Sequence, residues 1–453
     1  MNIFAIINYL IIITINMVIL FATTLFVSAA LLFSVQPLIA KILLPLLGGS
    51  PAVWNTCMVF FQATLLAGYA YAHWSVRLGS VKRQVPVHLG ILVLAFVFLP
   101  FAVPEAALAS LEEGANPSTW LLVCLLLMVG MPFFAVSTTA PLLQRWFAST
   151  PHPDAKDPYF LYAAGNIGSL LALLGYPLLV QPMFAVTRQV EIWAIGYGGL
   201  VCLIATCGVV YWRCSNRAPD LASEGSIDRG QFAVEVSAPD WRQRMRWVVL
   251  ALVPSSLMLG VTNYFATDIA SIPLLWVIPL ALYLSTFTFV FARRTWIPRS
   301  WMVRSMPYGA LALVFLLAAN VTEPVWVLIL LHLLFFFVAS MVCHGRLADD
   351  RPPVSHLTEF YLWMSIGGVL GGIFNALIAP SIFNHVLEYP LMIVVACLLC
   401  PNRTDKRGGA LATLADFAVP IAIAGLTVAL AVATSGMSPE AAALRNLYAL
   451  GLP

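Results

Sequence analysis

The stretch YAAGNIGSLL, residues 162–171, has a counterpart in YLWMSIGGVL, residues 361–370, and this pair decides the fold. Each stretch opens with a tyrosine and carries an Ile-Gly step at its centre. Both lie inside long apolar runs, which indicates buried helices and excludes soluble loops. The chain therefore contains similar membrane segments in its first and second halves.

The composition is that of an integral membrane protein. Of the 453 residues, 61% are hydrophobic and only 9% are charged, with a mean hydropathy of +0.91. An ordinary soluble domain is about 25% charged. Apolar runs long enough to cross a hydrocarbon core of about 30 Å recur along the whole chain. Backbone groups in lipid must be hydrogen-bonded internally, so these runs predict an all-α, polytopic membrane protein that lies in the lipid bilayer.

The apolar runs predict about thirteen helices. The apolar N-terminus has neither a basic region nor a cleavage site, so we interpret it as an extension of the first helix. Lys and Arg concentrate in the connections after even-numbered helices, whereas residues 104–118 contain neither. The positive-inside rule then predicts a cytoplasmic N-terminus in the cell's inner (plasma) membrane. The predicted helices are 18–44, 51–74, 85–103, 119–147, 158–181, 189–212, 247–267, 273–292, 302–320, 323–343, 357–379, 386–400 and 411–434.

A second match places the two halves in the same order. SPAVW at 50–54 begins the second helix and SIPLLW at 271–276 begins the eighth, with Pro and Trp three residues apart in both. Arg145 precedes the first tyrosine stretch as Arg346 precedes the second. A displacement of six helices preserves direction across the membrane, which predicts two parallel six-helix repeats, the major facilitator-like arrangement. The alternative is that Pro and Gly recur by chance in membrane helices.

The repeat predicts four regions. These are an N-terminal six-helix half at 1–212, a basic cytoplasmic linker at 213–246, a C-terminal six-helix half at 247–400, and a last region at 401–453. The last region would hold a cytoplasmic turn, an extra helix and the start of a further segment. Small residues on helices five and eleven predict close helix packing. They are Gly165, Gly168, Gly367, Gly368 and Gly371.

A charged residue inside a membrane is usually paired, hydrated or required for function. Asp268, shortly before Pro273, is predicted either to cap the eighth helix or to line a cavity at the break. Lys41 follows Gln36 in the first helix and is either a snorkelling side chain or the partner of Asp268 across the two halves. The pair, if formed, would survive reversal of both charges together.

Other polar side chains suggest further contacts. Glu359, at the cytoplasmic start of helix eleven, is predicted to cap that helix or to contact Arg346 or His344. Asn166, like Gln62 and Gln144, is interpreted as a donor between packed helices. The candidate substrate-binding residues are Asp268, Lys41, Gln36, Glu359 and Asn166.

Catalytic and metal-binding motifs are missing from the sequence. Cys397 and Cys400 form a C-x-x-C pair, but no second pair or His lies at metal-binding spacing. No phosphate-binding, zinc-protease or nucleophile-elbow motif occurs. We therefore expect no catalytic residue, no metal and no cofactor in this chain. The net charge of +3 reports topology, so we expect no nucleic acid as a partner.

Four long stretches resemble one family. Residues 31–62, 157–182, 257–287 and 343–391 are similar to the membrane portion of bacterial fused major facilitator and spermidine synthase-like proteins. In that family a soluble aminopropyltransferase-like domain follows the membrane region. This sequence lacks the nucleotide-binding glycines and acidic residues of such a domain, so no catalytic residue carries over. The resemblance implies a truncated chain or a separate enzyme polypeptide as partner.

The resemblance and the repeat imply a transporter-like membrane domain. Its cargo would be a small cationic metabolite such as a polyamine. The alternative is a membrane anchor or partner module for an aminopropyltransferase, with no transport of its own. A purely structural scaffold is the third interpretation.

Overall fold

A computed structural model describes residues 3–47, 51–78, 81–112, 117–223, 238–265, 276–292, 296–318, 324–383 and 387–401. These ranges contain helices and turns, and no strand. Twelve long helices occur within them, together with a short one at Glu105–Glu112. They are α1 Ile3–Leu47, α2 Pro51–Ser75, α3 Val81–Leu94, α4 Thr119–Ala148, α5 Phe160–Met183, α6 Val186–Ser223, α7 Trp241–Tyr264, α8 Val277–Phe291, α9 Arg299–Ala318, α10 Val325–Asp349, α11 Val354–Ile382 and α12 Glu388–Leu398.

The predicted all-α, polytopic fold is confirmed. Within the described ranges, eight helices are long and apolar enough to cross a membrane, and three shorter apolar helices accompany them. The helices keep the predicted order of six and six, and α1 includes the apolar N-terminal extension. The predicted helix at 411–434 lies outside the described residues.

Two helices run past their predicted ends. Helix α6 continues to Ser223, so the first part of the predicted linker is helical. Helix α10 continues to Asp349, beyond the apolar run that ends near residue 343. Hydropathy marks where lipid ends, but a helix continues until its backbone hydrogen bonding is interrupted. For α10 this happens at Pro352 and Pro353, because proline and the residue before it disfavour helix.

The ends of α5 and α11 share the same irregular backbone. Each contains a π turn, at Tyr176–Val180 and at Phe374–Ile378. A short proline-containing turn follows in both, and the backbone becomes extended at Phe184 (φ −126°, ψ 138°) and Phe383 (φ −107°, ψ 134°). Isolated π turns are uncommon. A further π turn, at Leu126–Gly130, lies inside α4. The support for the internal repeat therefore comes from the shared order at the ends of α5 and α11, a π turn followed by a proline-containing turn.

Close backbone contacts recur with the same displacement. A Cβ atom at Gly168 of α5 would lie 2.4 Å from the carbonyl oxygen of Phe26 in α1. A Cβ atom at Gly371 of α11 would lie 2.7 Å from the carbonyl oxygen of Leu252 in α7. Real Cβ atoms do not approach backbone this closely, so these two helix pairs need glycine there.

The other glycines predicted to pack have more room. A Cβ atom at Gly165 would lie 3.9 Å from Ala29, and one at Gly368 would have no atom within 4 Å. Gly367 is buried. Of the predicted glycines for which this distance is known, only Gly168 and Gly371 therefore lie too close to a neighbouring backbone to carry a Cβ atom.

The helices group into two compact units. The first unit contains residues 1–248, 287–294 and 350–369, and the second contains 249–286, 295–349 and 370–453. The start of α11 thus belongs with the N-terminal helices. The domain boundaries predicted from the sequence remain predictions.

Buried polar side chains fix helices inside each unit. In the first unit, the indole of Trp193 donates to the carbonyl of Leu31 at 2.9 Å, and the hydroxyl of Tyr197 donates to that of Leu92 at 2.8 Å. In the second unit, Nδ2 of Asn375 donates to Oγ of Ser256 at 2.6 Å. Such hydrogen bonds join α6 to α1 and α3, and α11 to α7.

The contact between α5 and α1 predicts a matched pair of glycine variants. Gly168→Ala forces the two backbones apart, so we expect it to destabilise the protein by about 1–3 kcal/mol. Gly199→Ala, where a Cβ atom meets nothing within 4 Å, should be neutral or stabilise by up to about 1 kcal/mol through helix propensity. Unfolding in mixed detergent micelles measures both. Equal effects of the two variants would contradict the close contact.

Candidate functional site

The start of α11 meets three N-terminal helices at one side chain, Tyr361. Tyr361 is 1% exposed. Its hydroxyl donates to Oε1 of Gln144 in α4 at 2.8 Å. Its ring lies 5.2 Å from Tyr162 in α5 and 6.2 Å from Tyr69 in α2, measured between ring centroids. A buried hydroxyl must find an acceptor, so this hydrogen bond fixes the rotation of α11 against α4.

An aromatic group surrounds this contact. Tyr162 packs edge-on against Phe287 at 5.6 Å and against Phe291 at 5.3 Å. Tyr159 stacks on Phe291 and donates its hydroxyl to the carbonyl of Pro352 at 2.9 Å. Burial raises the pKa of Tyr159 above its ordinary range, so this hydroxyl stays protonated and remains a donor. The rings keep water away from the bond made by Tyr361.

An ion pair lies next to this aromatic group. Oε1 of Glu359 contacts Nη2 and Nε of Arg244, each at 2.7 Å, and Oε2 lies 3.0 Å from Nδ1 of His356. The Glu359 side chain is 13% exposed and that of Arg244 is 28% exposed. Both carboxylate oxygens are therefore engaged. The contact joins the first turn of α7 to the first turns of α11.

Further ion pairs and hydrogen bonds, more exposed than the Glu359 contact, surround the 350–359 segment. Arg246 pairs with Asp350 at 2.9 Å, and Arg351 pairs with Asp157 at 3.0 Å. Exposed pairs of this kind each contribute about 0–1 kcal/mol. Three further hydrogen bonds join the segment to α2, α4 and α7. They run from Arg145 Nη1 to the Val354 carbonyl, between His73 Nδ1 and Thr358 Oγ1, and from Trp247 Nε1 to the Asp350 carbonyl.

The described partners of Glu359, Arg244 and His356, differ from Arg346 and His344, which the sequence suggested. Arg346 donates to the carbonyl of Leu399, and Nδ1 of His344 lies 2.8 Å from Oγ1 of Thr286. The end of α10 belongs to the second unit, whereas the start of α11 belongs to the first. Arg244 was read from the sequence only as a topology charge. The sequence predicted the helix only from residue 247, so Arg244 could not be recognised as a first-turn residue.

The structure does not join the other predicted site residues. Asp268 lies outside the described residues, so its pair with Lys41 remains a prediction. Lys41 is partly exposed, Gln36 is 7% exposed and Asn166 is 6% exposed. Among the described members of the predicted set, no hydrogen bond or ion pair connects one to another. The predicted substrate-binding set therefore remains a prediction.

Several buried polar atoms on the helices that meet at Tyr361 have no hydrogen-bond partner in the described ranges. They are Oε1 of Gln62, Nε2 of Gln144, Nδ2 of Asn166 and Oγ of Ser365. An unpaired buried polar group costs about 1–3 kcal/mol. The described residues contain no group of three or more His, Cys, Asp or Glu that could hold a metal ion.

Comparisons with known proteins find similar solved structures, among them a transporter homologue and a symporter. No protein-family model matches the chain, and no curated protein matches it. One structure is a bacterial homologue of the iron transporter ferroportin in the outward-facing state, with 14% identity and a TM-score of 0.46 over 89% of this chain and 99% of that one. The other is the MFS (major facilitator superfamily) proton:xylose symporter XylE bound to 6-bromo-6-deoxy-D-glucose, with 14% identity and a TM-score of 0.48 over 86% and 94%. Similarity at this level identifies neither a family nor a cargo.

The ion pair of Glu359 predicts a specific energetic coupling. Glu359→Gln removes a partly buried charged hydrogen bond, so we expect a loss of about 1.5–3 kcal/mol in unfolding free energy. Once Arg244→Gln is present, the same change should cost much less, because the partner is already gone. A double-mutant cycle in mixed micelles measures this coupling.

Asp349→Asn is the matched control. Asp349 pairs with Arg299 in the second unit, where the two side chains are 65% and 40% exposed. We expect its loss to stay below about 1 kcal/mol. Purely additive losses at Glu359 and Arg244 would contradict the proposed pair.

Proposed function

We propose that this chain is a membrane transporter domain whose α11 start separates from the N-terminal helices and returns during each cycle. The observation that carries the proposal is the layered contact at Tyr361, with a dry hydrogen bond inside and ion pairs outside. By the charge rule this layer faces the cytoplasm. In the described arrangement it would therefore close the cytoplasmic side.

The polar contacts around Tyr361 can separate at a small cost in free energy. Exchanging a hydrogen bond for bonds to water costs only about 0.5–1.5 kcal/mol, and exposed ion pairs cost less. A contact made only of packed apolar side chains would lose about 25 cal/mol for each Å² exposed to water. Polar contacts thus allow two states that differ by a few kcal/mol, which is the range in which a ligand shifts populations.

Transport by the isolated chain is the direct test. We expect purified chain in proteoliposomes to move at least one solute from a panel of glucose, alanine, glutamate and spermidine, saturably and only when protein is present. Tyr361→Phe leaves Oε1 of Gln144 without its donor and should change the rate at least about fivefold, which is the effect of losing roughly 1 kcal/mol.

Tyr197→Phe is the matched control for this test. It also removes a buried tyrosine hydroxyl with one carbonyl partner, but at a contact between α6 and α3. We expect its rate to stay within about twofold of the unmodified chain. No flux of any solute, or equal effects of the two variants, would contradict the proposal.

A cationic cargo such as a polyamine is the second candidate, and Asp268 is the feature that favours it. Among the described acidic residues Glu359 offers no free charge, since both its oxygens are engaged. We expect Asp268→Lys and Lys41→Asp each to abolish spermidine uptake, and the double reversal to restore much of it, because opposite charges would again be paired. Uptake that persists in the single variants would exclude this cargo site.

The same vesicles test the link to a synthase-like partner. That expectation rests on the sequence resemblance alone. If this chain is only a partner module, polyamine turnover should appear when a soluble aminopropyltransferase is added, and flux should be missing without it. Flux by the chain alone would favour the transporter.

A further inference from the structure

Four neutral polar side chains lie on the helices that meet at Tyr361. We call them the polar set: Gln62, Gln144, Asn166 and Ser365. Gln144 is fully buried, Asn166 is 6% exposed and Ser365 is 9% exposed. Each carries a buried atom with no partner in the described part of the chain. Burial without a partner is unfavourable, so these atoms are free to form hydrogen bonds with a bound molecule.

Helical spacing places two members of the set on the faces that meet at Tyr361. Ser365 is four residues after Tyr361 in α11, and Asn166 is four residues after Tyr162 in α5. Residues four apart share a helix face. Since the rings of Tyr361 and Tyr162 are in contact, Ser365 and Asn166 occupy the next turn of the same two faces.

Helix α2 contributes from the same side. Gln62 is seven residues before Tyr69, and positions seven apart also share a face. The ring of Tyr69 contacts that of Tyr361. Helix α2 ends near the level where α5 and α11 begin, so moving back to Gln62 and forward to Ser365 leads in the same direction. Helical spacing thus places Gln62, Asn166 and Ser365 on one side of the tyrosine contact, in which Gln144 itself takes part.

The set contains donors and acceptors but no charge. The unpaired atoms are two amide nitrogens, one amide oxygen and one hydroxyl. The carboxylate of Glu359 is already held by Arg244 and His356. A charged ligand would lose its hydration here without gaining a counter-charge, which is strongly unfavourable. A ligand with hydroxyl groups could donate to the amide oxygen and accept from the amide nitrogens.

We infer that the polar set binds an uncharged, hydroxyl-rich small molecule. That this molecule is also the cargo rests on the proposed transport function. Binding itself does not rest on transport. The inference sets an uncharged ligand against the cationic one expected from Asp268.

Ligand binding is measured by thermal unfolding of the full purified chain in detergent. The probes are D-glucose, myo-inositol, spermidine and glutamate at matched ionic strength. We expect glucose or inositol to raise the unfolding temperature saturably, because a ligand that binds only the folded state stabilises it. We expect no saturable shift with spermidine or glutamate.

Two variants locate the site. Ser365→Ala and Asn166→Leu should each weaken the saturable shift of the uncharged probe by about tenfold in apparent affinity, the effect of one lost hydrogen bond. Ser340→Ala is the matched control. Ser340 is also a fully buried serine whose Oγ has no partner in the described ranges, but it lies in α10 of the second unit. A general osmolyte effect would appear equally in all three variants.

The outcomes separate this inference from the transport proposal. Binding of an uncharged probe that depends on Ser365 and Asn166, without flux, supports the site and contradicts transport. Spermidine flux together with no saturable shift by either uncharged probe supports transport and overturns the site. The inference also fails if no probe shifts the unfolding temperature, or if the control weakens binding equally. Should one variant not fold, the other and the probe comparison with unmodified chain still decide.

Discussion

The hydrogen bond from Tyr361 to Gln144 is the contact on which the candidate site depends. Both side chains are buried, so neither could replace the bond with water in this arrangement. In surroundings of low dielectric such a bond is stronger, and an unpaired hydroxyl is costly. It therefore fixes where α11 begins against α2, α4 and α5. The aromatic rings and ion pairs are arranged around that fixed point, with exposure to water increasing outward.

The two sets of six helices share two features of the backbone. Both contain a helix pair whose backbones approach closely at a glycine, at Gly168 and at Gly371, and both contain a helix that ends through a π turn. In lipid the backbone has no water to bond with, so irregular turns survive only where the protein satisfies them. That the same irregularity recurs six helices later favours a duplicated architecture over chance matches of Pro and Gly.

The sequence predicts the helices well because the length and composition of an apolar run follow directly from the thickness of the bilayer. It predicts partners poorly. The sequence marks Glu359 as a candidate site residue, but its partner Arg244 is 115 residues away. Hydropathy does not reveal how each helix is rotated, so it cannot show which distant side chains meet. Gln62 and Gln144 were noted only as packing donors, and Ser365 was missed, because a single neutral residue in an apolar run is informative only once the shared helix faces are known.

The central claim is that the start of α11 leaves the N-terminal helices and returns. Spin labels at Lys156, before α5, and at Pro353, before α11, report this directly, because both positions are exposed. Distances between the labels in lipid nanodiscs should fall into two populations, a shorter one matching the described contact and a longer one that grows in Glu359→Gln. A single narrow population, unchanged by that variant and by every solute of the panel, would contradict the account.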